Sequence, residues 1–125
     1  MTVYCLGNET EIKDRLPLKI IPLLKNELRE INFTKYDPTE ELPHEEKLIL
    51  IDTVLGIKKV TVFTSLSAFS PPPNITVHDY DLYLDLSLRK KLKSFSDFII
   101  IGLPSNLPVK KAAEAVIKLL READL

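Results

Sequence analysis

The sequence predicts a single α/β domain: a three-layer sandwich in which a mostly parallel five-stranded sheet carries helices on both faces. Three observations support this prediction. Two continuous apolar runs, 47–54 and 97–103, have the composition of central strands covered on both sides. Segments with helical spacing of apolar residues alternate with the predicted strands. The 125 residues, 45% apolar and 28% charged, suit one domain spanning 1–125.

The first half of the chain contains two predicted strands and one predicted helix. The β-favouring run 3–6 ends at Gly7-Asn8, a pair typical of turns. From 14 to 31, apolar residues recur every three to four positions, which predicts an amphipathic helix. Pro22 should kink this helix because it removes one hydrogen bond. Residues 32–36 follow as the second strand.

The second half begins with the third strand, 47–54. The β-branched segment 58–65 predicts a fourth strand, and the short connection before it favours an antiparallel or edge position. The prolines at 71–73 exclude helix and ladder strand there and start a surface loop. After this loop come a basic amphipathic helix over 86–95, the fifth strand over 97–103, and a last helix over 108–123. The predicted buried stripe of that last helix is Ala112, Val116, Leu119 and Leu120.

Charge and cysteine content exclude several classes of protein. Seventeen basic and eighteen acidic residues leave a net charge of −1, so no overall positive field favours nucleic acid. The single cysteine, Cys5, cannot form an internal disulfide and is interpreted as a core residue. No apolar window is long enough for a membrane span or a signal peptide, and the motifs for dinucleotides, P-loop phosphates and serine hydrolases are absent. We therefore expect a cytoplasmic protein without membrane insertion.

Polar residues follow the first three predicted strands: Asn8, Asp14, Asp37 and Asp52. The carboxyl ends of parallel strands share one edge of a sheet, where ligands bind, so these four residues should lie near one another. Asp52 is the most informative, because burying a carboxylate inside an apolar run is costly unless something compensates it. Two explanations stay open: Asp52 lies at the strand end and caps a helix or loop amide, or it is a ligand or catalytic group.

Asp14 and His78 extend this hypothesis. By its position alone, Asp14 could cap the first helix, a role worth about 1 kcal/mol. His78 lies in the loop after the prolines, and with Asp14 and Asp52 it would form a nitrogen and oxygen ligand set suited to zinc or nickel. No local motif such as HExxH accompanies it. The other histidine, His44, is expected to be solvent-exposed, and the basic run 89–93 is either a solvated helix face or a docking patch for an acidic partner.

Taken in order, six short motifs resemble those of the hydrogenase maturation endopeptidases and cover most of the chain. They are Leu6-Gly7-Asn8, Asp14 at the predicted helix start, Asp37-Pro38-Thr39, Leu50-Ile51-Asp52-Thr53-Val54, His78, and Ile100-Ile101-Gly102-Leu103-Pro104. The resemblance implies an α/β sandwich and a peptidase. That peptidase would remove a C-terminal peptide from the precursor of a [NiFe]-hydrogenase large subunit after nickel insertion.

The resemblance also implies roles for particular residues. Asp14, Asp52 and His78 would form the metal site that recognises nickel held in the substrate, with zinc as another possible metal. Asp37 would match an aspartate implicated in activity, and the catalytic base stays open among Asp14, Asp37 and Asp52. The implied partner is the large-subunit precursor, and the protein is expected to be a monomer.

The sequence departs from this family in its glycines, of which the chain has only three. Cys5, Arg15, Leu16 and Pro38 stand where the family has glycine. An alternative is therefore a non-catalytic binding module that docks on a hydrogenase or another partner through 89–93. A response-regulator-like domain is disfavoured, because Gly7-Asn8 and Gly102-Leu103-Pro104 occupy the places of its acidic pair and lysine.

Overall fold

A computed structural model describes residues 1–36, 47–64 and 97–123. In these ranges the strands are β1 (Thr2–Cys5), β2 (Asn32–Lys35), β3 (Lys47–Thr53), β4 (Thr61–Phe63) and β5 (Asp97–Leu103). They form one five-stranded sheet in the order β2-β1-β3-β5-β4. The first four strands in this order are parallel, and β4 runs antiparallel to β5 at the edge. The predicted mostly parallel α/β sheet is confirmed.

The short connection before β4 predicted an antiparallel or edge position, and among the described strands β4 is both antiparallel and outermost. Its partner, however, is β5 and not β3, the strand before it in the chain. Val62 pairs with Ile101, and Phe63 pairs with Ile100. Because β5 already occupies the side of β3 away from β1, the chain crosses the end of β5 before it pairs.

The helices are α1 (Leu16–Lys19), α2 (Ile21–Glu27) and α3 (Val109–Glu122). The prediction of one helix over 14–31 is wrong, because the chain forms two short helices separated at Ile20. Pro22 lies in the first turn of α2, where a missing amide hydrogen is tolerated, so the helix restarts there instead of bending. Within the described ranges, no helix has the length and apolarity needed to cross a bilayer.

The last helix matches its prediction closely. In α3, Ala112, Val116 and Leu120 are buried as predicted, but Leu119 is only partly buried and Ala113 takes its place in the core. The predicted basic helix over 86–95 and the proline-rich loop lie outside the described residues.

The sheet has a core on each face. All three described helices pack on one side, which we call the helix face. Its cluster includes Val3, Cys5, Leu16, Ile20, Leu24, Phe33, Ile49, Ile51, Ile101, Leu103, Ala112 and Val116. The other side, the opposite face, holds Tyr4, Leu6, Tyr36, Leu48, Leu50, Phe98 and Ile100. Burial on both faces explains why β3 and β5 are continuous apolar runs instead of alternating ones.

Candidate functional site

The strand order places a topological switch point between β1 and β3. From β1 the chain passes to β2 on one side, and it then returns to β3 on the other side of β1. In open α/β sheets, ligands bind in the crevice beyond the carboxyl ends of the strands at such a point. The residues that follow β1 and end β3 are therefore the first candidates for a site.

The ladder between β1 and β3 ends at this crevice. Its register pairs Cys5 with Ile51, and the Leu6 amide donates to the Ile51 carbonyl at 2.8 Å. The next amide of β3 on that side belongs to Thr53, and it donates to Oδ1 of Asp52 at 2.8 Å. A side chain has thus taken the place of a ladder partner at the point where the two strands separate.

Asp52 is fully buried at the carboxyl end of β3, with 0% of its surface exposed. Strand alternation places it on the opposite face with Leu48 and Leu50, and the register places it beside Gly102 of β5. Asp52 does accept from a backbone amide at the strand end, but this amide belongs to Thr53, the last residue of β3, and not to a helix or loop. This bond uses one carboxylate oxygen and is compatible with a further role for the group as a ligand or a base.

Thr53 was not identified from the sequence. Its side chain is 3% exposed and lies on the helix face, and its Oγ1 makes no hydrogen bond to any residue in the described ranges. In an apolar run, a threonine is a common β-branched core residue. Only the strand end and the bond to Asp52 distinguish this one.

Asp14 lies at the same edge, held by its backbone. The Asn8 amide donates to the Asp14 carbonyl at 3.1 Å, which closes the loop after β1. A Cβ atom at Gly7 would lie 2.5 Å from that carbonyl oxygen, so only glycine allows the approach. The Asp14 side chain is half-buried.

The prediction that Asp14 caps the first helix is wrong. The N-cap position of α1 is Arg15, and this helix has no side-chain capping bond. Asn8 has a local role instead, because its exposed Oδ1 accepts hydrogen bonds from the Thr10 amide at 3.0 Å and from the Thr10 hydroxyl at 2.7 Å. Asn8 therefore shapes the loop that carries Asp14.

The remaining predicted site residues, Asp37 and His78, lie outside the described residues, as do His44 and the basic run 89–93. Tyr36, the residue before Asp37, donates its amide to the Cys5 carbonyl at 2.8 Å, at the carboxyl end of β2. Across 1–36, 47–64 and 97–123, no three His, Cys, Asp or Glu side chains form a metal-binding group. The structure thus brings Asp14 and Asp52 to one edge, and their ligand and catalytic roles stay predictions.

The two carboxylates would suit nickel or zinc only together with a nitrogen ligand. Two carboxylates alone offer the oxygen ligands that Mg²⁺ and Ca²⁺ prefer, and an imidazole nitrogen is needed to favour nickel or zinc. In this chain, His78 and His44 are the two residues that could supply that nitrogen.

Cys5 is a core residue, as predicted. Its side chain is fully buried on the helix face. Burial raises the pKa of the thiol to about 12, and the nearby positive charge of Lys25 only partly opposes this rise. The thiol is therefore protonated at neutral pH and is a poor nucleophile or metal ligand.

A groove of about 550 Å³ lies between α2 and α3, on the outer side of the helix layer. None of its lining residues belongs to a strand end, so it is separate from the crevice. It carries three acidic and three basic side chains, including the exposed pair Arg121 and Glu27 at 3.4 Å. The lining residues are Leu23, Asn26, Glu27, Lys110, Ala113, Glu114, Ile117, Lys118, Arg121 and Glu122.

Comparison with known proteins finds solved structures that share this fold. No family model matches the chain, and no curated protein matches it by sequence. The hydrogenase maturating endopeptidase HybD from E. coli, however, superimposes with a TM-score of 0.69 at 15% identity, over 99% of this chain and 94% of HybD. The chain has the HybD fold. The α/β sandwich implied by the resemblance is therefore confirmed.

Two further solved structures share the fold. An endopeptidase from Escherichia coli matches with a TM-score of 0.63 at 17% identity, over 100% of this chain and 95% of that one. An uncharacterized protein from Wolinella succinogenes matches with a TM-score of 0.59 at 14% identity, over 97% and 94% of the two chains. In all three comparisons, coverage is nearly complete in both directions.

Proposed function

We propose that this protein is a maturation peptidase that removes a C-terminal peptide from the precursor of a [NiFe]-hydrogenase large subunit after nickel insertion. The observation that carries the proposal is a buried carboxylate, Asp52, at the β1/β3 switch point of a HybD-like fold. We further propose that it acts as a monomer in the cytoplasm.

Nickel belongs to the substrate in this proposal. The carboxylates of Asp14 and Asp52, together with His78, would bind nickel that the precursor already holds. Full burial and the bond from the Thr53 amide restrict the Asp52 carboxylate, so little conformational freedom is lost on binding. A precursor without nickel lacks these ligand bonds and binds weakly, which makes the metal a signal that assembly is complete.

Peptide cleavage needs a group that accepts the proton of the attacking water. A carboxylate among Asp14, Asp37 and Asp52 would take this proton while the water oxygen attacks the scissile carbonyl carbon. The proton then passes to the leaving amine, and the C–N bond breaks.

The test is cleavage of the nickel-loaded precursor, followed by the mass of the large subunit. Asp52→Asn keeps an oxygen that accepts the Thr53 bond but removes the charge, so folding should persist while the rate falls about 100-fold or more. Glu30→Gln, an exposed carboxyl before β2, is the matched control and should cleave normally. Full activity of Asp52→Asn would reject the proposed role of Asp52.

Metal recognition is tested separately by calorimetry with nickel and zinc on wild type, His78→Ala and His44→Ala. One-site binding that is lost only in His78→Ala would support the ligand set. Stable binding of the precursor without any mass change would instead favour the alternative, a non-catalytic binding module.

A further inference from the structure

The segment 54–63, which we call the β4 arm, exposes apolar side chains next to the site. Leu55 and Val62 are each 41% exposed, and Phe63 is half-buried. The arm also holds Lys58 and Lys59, both exposed, and no acidic residue. An apolar surface with two positive charges favours a partner that has apolar side chains and an acidic group.

A glycine turn and a side-chain hydrogen bond determine the course of the arm. Gly56 adopts φ +90°, which allows the tight turn after β3. The Thr61 hydroxyl donates to the Lys59 carbonyl at 2.9 Å and so fixes the backbone of Lys59 just before β4. The lysines therefore lie at the end of β4 where Thr61 pairs with Gly102.

That end of β4 is the carboxyl edge of the sheet. Gly102 is the register partner of both Thr61 and Asp52, so one strand separates the start of β4 from Asp52. At the usual strand spacing, the backbones of Thr61 and Asp52 are roughly 10 Å apart. The arm thus borders the candidate site without being part of it.

β4 is also the outermost, on its side of the sheet, of the strands that the structure describes. Among the described residues, no strand pairs with its outer side. Exposed edges bind extended peptides by strand addition, in which main-chain hydrogen bonds give affinity and alternate side chains give specificity. A peptide added to β4 would place its side chains alternately near Val62 on the helix face and near Phe63 on the opposite face.

We propose that the β4 arm is the docking edge for the substrate peptide, which binds as an added strand with apolar side chains and an acidic group near Lys58 and Lys59. This inference rests on the proposed function, because the peptide is part of the precursor. A strand added outside β4 lies about 14 Å from Asp52, a distance that roughly four extended residues span. Docking and cleavage would therefore use separate parts of one peptide.

The first experiment measures binding without cleavage, by fluorescence anisotropy. The probe is a fluorescein-labelled, C-terminally amidated peptide in which three valines alternate with threonines and two glutamates follow. The double variant Leu55→Ser/Val62→Thr should bind it about tenfold more weakly, because it loses two apolar contacts. The matched control is Leu23→Ser/Val109→Thr, whose side chains are 40% and 39% exposed elsewhere, and its affinity should equal that of wild type.

The charge requirement has its own variants. The double variant Lys58→Glu/Lys59→Glu should bind the glutamate probe about tenfold more weakly than wild type does. It should bind more tightly a probe that has two lysines in place of the glutamates. Lys110→Glu/Lys118→Glu, which changes two exposed lysines of α3, should leave binding unchanged. Equal losses in both pairs would show a nonspecific charge effect and overturn the inference.

Strand addition is tested with N-methylated probes. Methylating alternate amides in one register should abolish binding, and methylating the other alternate set should preserve it, because only one set faces β4. Equal binding of both probes would overturn strand addition.

Cleavage of the precursor by the arm variants tells failure of the docking proposal from failure of the proposed function. If the arm variants cleave the precursor with unchanged KM, docking at the arm is rejected while the proposed function stands. If nothing is cleaved but probe binding depends on the arm, the proposed function fails and the docking edge remains.

Discussion

Asp52 is held by the residue that follows it in the chain. The Thr53 amide donates a 2.8 Å hydrogen bond to Asp52 Oδ1, at the point where β3 leaves its ladder with β1. Both residues are buried, so loss of the carboxylate oxygen would leave the Thr53 amide without a hydrogen bond. The bond therefore couples the stability of the strand end to the orientation of the carboxylate.

This coupling predicts an order of stability among variants of Asp52. Asp52→Asn and Asp52→Ala both remove the charge, but only asparagine keeps an acceptor for the Thr53 amide. We expect the alanine variant to be less stable by about 1–3 kcal/mol, the cost of a buried unsatisfied donor. Urea denaturation of the two variants measures the difference, and equal midpoints would show that the bond contributes nothing.

Close packing around Gly102 leaves no room for a larger side chain. A Cβ atom there would lie 2.9 Å from Cε2 of Phe63 and 2.9 Å from Cγ2 of Val54. Gly102→Ala should therefore destabilise the fold by about 1–2 kcal/mol. Phe63→Leu should recover part of this loss in the double variant, because the shorter side chain vacates the space. Strictly additive free energies of unfolding would contradict this explanation.

Gly7 and Gly56 are required for different reasons, one for lack of space and the other for its backbone conformation. A Cβ atom at Gly7 would lie 2.5 Å from the Asp14 carbonyl oxygen, whereas at Gly56 it would meet nothing within 4 Å and the φ of +90° is the only strain. We expect Gly7→Ala to cost about 3 kcal/mol or more, and Gly56→Ala about 1–2 kcal/mol. Chemical denaturation of both variants checks the order, and a larger loss at Gly56 would reverse the interpretation.

The buried thiol of Cys5 predicts a dependence of stability on pH. Its pKa is about 12 in the folded protein against 9.0 for the unperturbed group. Above pH 9 the unfolded chain releases a proton that the folded chain retains, so the free energy of unfolding falls as pH rises towards 12. Below pH 9 both states are protonated, and the thiol contributes no slope.

Cys5→Ala is the comparison for this prediction, since the other titrating groups are the same in both proteins. Between pH 9 and 11, the urea midpoint of wild type should fall more steeply than that of the variant. Parallel curves would show that the thiol does not titrate in the unfolded state as expected. In native wild type at pH 8, a thiol reagent should react with Cys5 only after unfolding.

The sequence was sufficient for the elements with strong local signals. β3 and β5 are central strands buried on both faces, and such strands are continuous apolar runs that need no partner to be recognised. α3 has a regular apolar stripe, and its boundaries differ from the prediction by one residue at each end. The division of 14–31 into two helices could not be predicted in this way. The apolar periodicity of this segment continues across Pro22, whereas its helical hydrogen bonding does not.

Tertiary structure decided the features that depend on distant residues. Asp52 could be identified as a candidate site residue because a carboxylate in an apolar run is unusual by itself. Thr53, Gly102 and the pairing of β4 with β5 have no local signal, because each depends on a strand that is far away in sequence. Composition and periodicity are properties of neighbours along the chain, and they determined the fold class and the edge where the candidate site lies. Which side chains meet at that edge depends on strand order and register, and these are set only when the whole sheet assembles.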